Sequence, residues 1–335
     1  MISVGVIGMG YWGPNIIRNF YANTHTTVDK CCDLRKERLN FIRKTYPTVE
    51  TTTDYNELIN DPRLDLIAIC TPVHMHHEIA KKVLTAGKHV LIEKPMTNSS
   101  RQAEELLNLA EQKKLRIFVD HTFLFTGAVS KIREVIKKGE IGDIYYFDSV
   151  RVNLGLFQHD INVLWDLAPH DISIMNSLLT QKPESVLATG ADHLKSGNEN
   201  IAYISVYYPD NVLGHIHVNW LSPVKVRETL IAGTKKMVVW DDNQPSEKVR
   251  IYDKGIEVIK DTAQIYNMLI QYRTGDMYCP KIDAAEALAV EAEQIVDCII
   301  NDKKSISGGE EGLQVVRILE AAEKSLKNRG KEIKV

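Results

Sequence analysis

The chain begins with a short apolar run, Ile2–Ile7, that passes directly into Gly8-Met9-Gly10-Tyr11-Trp12-Gly13. Helical spacing follows over 14–21. A buried strand, a G-x-G-x-x-G turn and a helix in that order constrain the fold strongly. Gly8 is predicted to allow the tight turn, Gly10 the close approach of a pyrophosphate, and Gly13 the packing of helix on strand. The helix would then turn unpaired N–H groups and the positive end of its dipole toward phosphate. Tyr11 and Trp12, inside the turn, are expected to wall the cofactor. Asp33 lies 25 positions beyond Gly8, at the end of the second apolar run. That is where an acid accepts hydrogen bonds from the adenosine ribose. A carboxylate there also repels the extra phosphate of NADP, so NAD is the expected cofactor. Arg35 and Arg38 are nearby cations that the start of a solvated helix explains equally well.

The alternation continues. Strand patterns at 28–32, 64–70, 89–92 and 117–119 are separated by helical patterns at 35–46, 76–86 and 99–114. This predicts βαβ units and a parallel sheet with helices on both faces. After about residue 122 the rhythm changes. Helices are expected at 129–138 and 165–179, a long strand at 143–154, and strand after strand from 184 to about 260. Helices at 283–300 and 311–326 close the chain. The fold class is α/β: a Rossmann domain over 1–122 and a second α/β domain over 123–335 with a large, mainly antiparallel open sheet.

Net charge is -3 with scattered basic residues, which gives nucleic acid no basic face. No apolar run reaches the ~18–20 residues that cross a bilayer. The opening residues have no basic region and no small-residue cleavage site, so no secretory signal is expected. Cys31, Cys32, Cys70, Cys279 and Cys298 are irregularly spaced and read as reduced thiols of a cytoplasmic protein. His74, His76 and His77 lack a Cys or acid at ligand spacing, so no metal site is expected.

Cys70-Thr71-Pro72-Val73-His74-Met75-His76, followed by Ala86-Gly87-Lys88-His89-Val90-Leu91-Ile92-Glu93-Lys94-Pro95, closely resembles the Gfo/Idh/MocA oxidoreductases. The resemblance continues through Glu140 to Asp143, through Asp166-Leu167-Ala168-Pro169-His170, and into the stretch from Gly312. It implies an oxidoreductase that pairs through its C-terminal sheet as a homodimer or homotetramer. It also implies that Thr71, Pro72 and His76 line the nicotinamide side. Glu93 and Lys94 would form the catalytic loop, often with a cis peptide before the proline that is Pro95 here. Val119 to Phe123, the stretch Val152 to Leu156, Phe157 and Gln158, and Trp165 to Asp171 look like the nucleotide-sugar branch. The Gly-rich run that sugar and inositol branches often carry before D-x-x-x-H is replaced here by Ile161-Asn162-Val163-Leu164-Trp165.

Oxidising a secondary alcohol needs a base within hydrogen-bond reach of the hydroxyl. His170 titrates near neutrality and qualifies. Asp166 stands four residues earlier, on the same helix face if a helix begins here with Pro169 in its first turn. It would orient the ring or bond the sugar. Lys94 would donate to the substrate oxygen, or act as the base itself if its pKa is depressed. Arg151, Asn153 and Gln158 read either as substrate hydrogen-bonders or as a polar sheet face. Lys225 and Arg227 read either as a grip on a diphosphate or as exposed cations. His215 and His217 point to one sheet face.

The leading expectation is therefore an NAD-dependent dehydrogenase of a sugar hydroxyl, at the 3-position of a UDP-linked N-acetylhexosamine or its uronate. A dehydrogenase of a free sugar or an inositol-like cyclitol is the alternative within the class. A non-catalytic NAD-binding sensor is the alternative outside it.

Overall fold

The computed structural model describes residues 1–155, 161–259 and 269–335. Two compact units emerge. The first is Met1–Thr126 with Ala285–Glu320, the second Gly127–Ala284 with Ala321–Val335.

The first unit is built from β1 (Ile2–Ile7), α1 (Gly13–Ala22), β2 (Thr26–Cys32), α2 (Lys36–Thr45), β3 (Glu50–Thr52), α3 (Asn56–Ile59), β4 (Leu66–Ile69), α4 (Val73–Thr85), β5 (His89–Glu93), α5 (Ser100–Lys113) and β6 (Ile117–Asp120). Its six strands are ordered β3-β2-β1-β4-β5-β6 and pair in parallel. The order reverses between β1 and β4, the switch point where open α/β sheets hold ligands. Leu66, Ile67, Ala68 and Ile69 are all fully buried, because a parallel sheet is covered on both faces. Helix α5 starts on Ser99, whose hydroxyl accepts the Gln102 N–H. Strand β3 and helix α3 escape a pattern reading. Glu50-Thr51-Thr52 has no apolar signal and is held at the sheet edge by pairing with Lys30 to Cys32.

The second unit holds α6 (Gly127–Lys137), β7 (Ile144–Leu154), α7 (Val163–Leu178), β8 (Ser185–Ala191), β9 (Ile201–Tyr207), β10 (Leu213–Asn219), β11 (Leu221–Gly233), β12 (Met237–Asp241), β13 (Val249–Tyr252), β14 (Gly255–Ile259), β15 (Leu269–Arg273) and β16 (Met277–Tyr278). Two helices follow, α8 (Ala287–Ile300) and α9 (Gly309–Lys327), then β17 (Ile333–Lys334). Nine strands form one sheet in the order β16-β13-β12-β11-β7-β10-β9-β8-β17. Every pair is antiparallel except β7 with β10. Strands β14 and β15 make a separate two-stranded antiparallel sheet. Along β9, Ala202, Ile204 and Val206 are buried while Tyr203 and Tyr207 are exposed. That alternation is the mark of a sheet with one face on the core.

The expected second domain, 123–335, needs correcting. Helix α8 and the part of α9 up to Glu320 belong to the first unit. Leu288, Ala292, Ile295, Val296 and Cys298 bury in the same core as Ile16, Ile17 and Phe20 of α1. Periodicity shows that α8 has an apolar face. It does not show which core that face covers.

Candidate active site

The turn after β1 uses its three glycines for different reasons. Gly8 sits at φ +97°, and a Cβ there would lie 2.6 Å from the Cys70 carbonyl oxygen. A Cβ on Gly13 would come within 1.9 Å of the Gly8 carbonyl oxygen. Gly10 differs, because its Cβ would meet only the Arg35 Nη2, at 3.9 Å, among the described residues. The chain itself does not require glycine at that position, whereas a closely approaching ligand does. Helix α1 has no side-chain cap among the described residues and no acid in its first turn, so its positive end faces the turn uncompensated. Tyr11 is 83% exposed and stacks on Trp12 with ring centroids 6.3 Å apart. The Trp12 indole donates inward to Asp120.

Asp33, just past β2, is buried. Its carboxylate accepts the Met9 N–H at 2.7 Å and the Arg35 N–H at 2.8 Å, and pairs with the Arg35 guanidinium at 3.1 Å. Burial alone would raise its pKa, but these bonds outweigh burial and hold it below the usual carboxylate range. It is thus a fixed anion beside the glycine turn.

At the end of β4, the Thr71 hydroxyl is buried and has no hydrogen-bond partner among the described residues. Such an orphan calls for a ligand group. His76 is fully buried, with Nδ1 3.0 Å from the Pro95 carbonyl and Nε2 2.8 Å from the Thr71 carbonyl. Burial pushes its pKa down. A neutral ring carries one N–H, so it donates to one of these carbonyls and packs its other nitrogen against the second; His76 thus braces Thr71 against Pro95 and presents no ring nitrogen to a ligand. Pro72 caps α4. Glu93 ends β5 and its carboxylate accepts the Lys94 N–H. The Lys94–Pro95 peptide is cis. Lys94 is half-buried.

In the second unit, α7 begins earlier than the sequence suggests. Asn162 accepts the Trp165 N–H at 3.2 Å and starts the helix at Val163. Pro169 therefore lies inside the helix and not in its first turn. Asp166 and His170 are one turn apart on it, both half-buried. Asp166 accepts the Trp220 indole N–H at 3.1 Å, which fixes its carboxylate from the neighbouring sheet.

The polar residues of β7 and β11 have other employment. Arg151 donates from Nε to Asp171 at 2.6 Å and from Nη2 at 3.1 Å, with side chains 6% and 1% exposed. Ser149 adds a bond to Asp171 at 2.7 Å. Arg151 is thus a buried ion-pair partner of Asp171. Arg227 is its register partner across β7 and β11 and stands 3.6 Å from Asp242. Burial and then the Arg151 charge push its pKa down. Lys225 is exposed, in the stretch where the register slips between Leu221 and Val226. Arg227 thus has an acidic neighbour, while Lys225 stands exposed beside the ladder. Asn153 is half-buried near the end of β7. Gln158 lies outside the described residues.

The oxidoreductase-family profile described as an NAD-binding Rossmann fold matches residues 2–121, and the GFO/IDH/MocA C-terminal domain profile matches 129–239. The chain belongs to the Gfo/Idh/MocA family. This Gfo/Idh/MocA chain is 25% identical over 343 residues to the uncharacterised oxidoreductase YrbE of Bacillus subtilis, covering 97% of this chain and 94% of that one. Myo-inositol 2-dehydrogenase of Thermotoga maritima is 21% identical over 98% of this chain and 97% of its own. Among solved structures, UDP-N-acetylglucosamine 3-dehydrogenase GnnA from Acidithiobacillus ferrooxidans superposes with a TM-score of 0.81 at 20% identity, covering 98% of each chain. At that identity the likeness is one of fold.

The family member described here is thus an NAD-dependent oxidoreductase. Its uncompensated helix end, open Gly10, fixed Asp33 anion and orphaned Thr71 hydroxyl fit a dinucleotide. Among the described residues, no group of three potential ligands could hold a metal, and no helix is long and apolar enough to cross a membrane. Asp120, His121 and Glu291 are buried polar groups of the first unit that the motifs do not single out. The signal was present: a glutamate in the apolar stripe Leu288, Glu291, Ile295 must be buried, and a buried acid calls for an explanation.

Proposed function

We propose that this enzyme oxidises a secondary hydroxyl of a sugar, the 3-hydroxyl of a UDP-linked N-acetylhexosamine or its uronate. The observation that carries the reading is the pair on α7. An imidazole and a carboxylate stand one turn apart, and the carboxylate is anchored by Trp220. NAD, when held by the glycine turn and Asp33, would supply the two-electron acceptor for the hydride of the carbinol carbon. His170 takes the hydroxyl proton as the alcohol becomes a ketone. Lys94 donates to the substrate oxygen and stabilises its developing charge. Asp166 holds the substrate or the ring. A redox sensor would need no base and no carboxylate beside it.

The name of GnnA and the nucleotide-sugar motifs at Val119 to Phe123 and Trp165 to Asp171 support the UDP-sugar reading. The full-length match to the Thermotoga myo-inositol 2-dehydrogenase favours a second one, a cyclitol or free sugar. Assembly as a homodimer or homotetramer would use the sheet face that exposes Tyr203, Tyr207 and Leu213. Five free thiols suit a cytoplasmic setting.

The test is to incubate the purified protein with NAD and a panel of UDP-sugars, free sugars and inositols while following the absorbance of reduced nicotinamide. Turnover of a UDP-amino sugar with competitive inhibition by UDP is expected. Turnover of inositol that ignores UDP would replace the substrate. Tight NAD binding with no turnover of any alcohol would restore the sensor.

A further inference from the structure

Three carboxyl groups act on one another inside the first unit. Glu93 and Asp120 are register partners at the ends of β5 and β6. Glu291 comes from the middle of α8. Asp120 and Glu291 are each only 2% exposed. Asp120 accepts one bond from the Trp12 indole N–H, in the glycine turn, and one from the Thr122 hydroxyl. Glu291 receives no N–H or hydroxyl donor at either oxygen among the described residues. The carboxyl groups of Glu291 and Asp120 act on each other as buried side-chain neighbours. Two carboxyl groups bond only through a proton held by one of them. Asp120 already accepts from two donors, which favour its charged form, and Glu291 accepts from none.

We propose that Glu291 is a positioning residue of the NAD site. It donates a hydrogen bond to the Asp120 carboxylate, and through Asp120 fixes the Trp12 indole inside the dinucleotide turn.

The surroundings agree. Burial, then the charges of Asp120 and Glu93, push Glu291 well above the ordinary glutamate range. Burial also raises Asp120, but the Thr122 and Trp12 bonds oppose it. The other titratable groups nearby are Cys70, His121 and Lys94. The Cys70 thiol, at the end of β4, is pushed up by burial and by Glu93 and Asp120. His121 is pushed down to about 3 by burial and by Lys94, so it is neutral. The sign follows from the raised folded-state pKa. The bond is intact below that pKa and lost as pH rises through it. Ionised Glu291 then repels Asp120, the indole loses its fixed acceptor, and NAD binding weakens.

The experiment is calorimetric titration of NAD into the full chain from neutral to alkaline pH, with circular dichroism to verify folding at each point. Wild-type affinity should fall by up to about tenfold per pH unit on the alkaline side. Glu291→Gln keeps a donor without an ionisable proton. It should bind NAD like wild type at neutral pH and lose the alkaline fall. Asp120→Asn turns an N–H toward Trp12 or Thr122 and should bind weakly at every pH. A flat wild-type profile would overturn the proposal. So would a Glu291→Gln variant that keeps the alkaline fall, or a tolerated Asp120→Asn beside a damaged Glu291→Gln, which would put the proton on Asp120. The inference rests on NAD binding alone, so its failure leaves the sugar reading untouched.

Discussion

In the first unit, the glycine turn, Asp33, Thr71 and Lys94 all stand just past the carboxyl ends of β1, β2, β4 and β5. In the second, Arg151 and Arg227 lie within β7 and β11, directly opposite each other. The two sets look alike as sequence, polar residues next to apolar runs, yet their fates differ. A residue beyond a strand end has left the ladder and can face a ligand. A residue inside a central strand has neighbours on both sides and, here, a helix above. A charge buried there costs several kcal/mol unless it finds an internal partner. Asp171 and Asp242 are those partners. Position relative to the strand end thus separates ligand-binding polarity from structural polarity.

The largest effect should come from α7, the one element of the second unit given a chemical role here. His170→Ala is expected to lower kcat by roughly 10²–10⁴-fold, with the NAD dissociation constant unchanged. Near-normal turnover would make α7 as structural as β7. Arg151→Ala should cost about 3–5 kcal/mol of stability, read by chemical denaturation, because it strands the buried Asp171 carboxylate. Unchanged stability with weakened substrate binding would instead return Arg151 to the site.

Asp33→Ser probes the strand-end class. Losing a charged acceptor should cost about 1.5–3 kcal/mol of NAD affinity and narrow the preference over NADP. Unchanged selectivity, measured with both nucleotides, would remove Asp33 from cofactor recognition. The effect smallest at any one pH step concerns His121, which is 1% exposed and whose pKa falls to about 3 in the folded chain against an ordinary 6.5. A lowered histidine pKa gives stability that is complete above 6.5 and lost as pH falls toward 3. The loss should be about 1.4 kcal/mol per pH unit. Urea unfolding across that window should show the slope in wild type and its flattening in His121→Gln.

Several features were legible without coordinates. The glycine spacing after an apolar strand, Asp33 at the end of β2, and the strand–helix rhythm to residue 120 are local patterns with local causes. Gly87, at φ +82°, follows the last turn of α4, a position that favours glycine. The start of α7 is less legible, because Asn162 caps the helix one turn ahead of the D-x-x-x-H motif. Strand β3 was missed because pairing, not composition, makes it a strand.

Local order alone determined the Rossmann half, its turn and its acidic residue, since turn chemistry and hydrophobic period act over a few residues. Tertiary structure decided that α8 covers the first core, that Arg151 is consumed by Asp171, and that Trp12, Asp120 and Glu291 meet. Those outcomes join residues 20 to more than 250 positions apart. What a buried polar group touches depends on how elements pack, and no pattern confined to a single element records that.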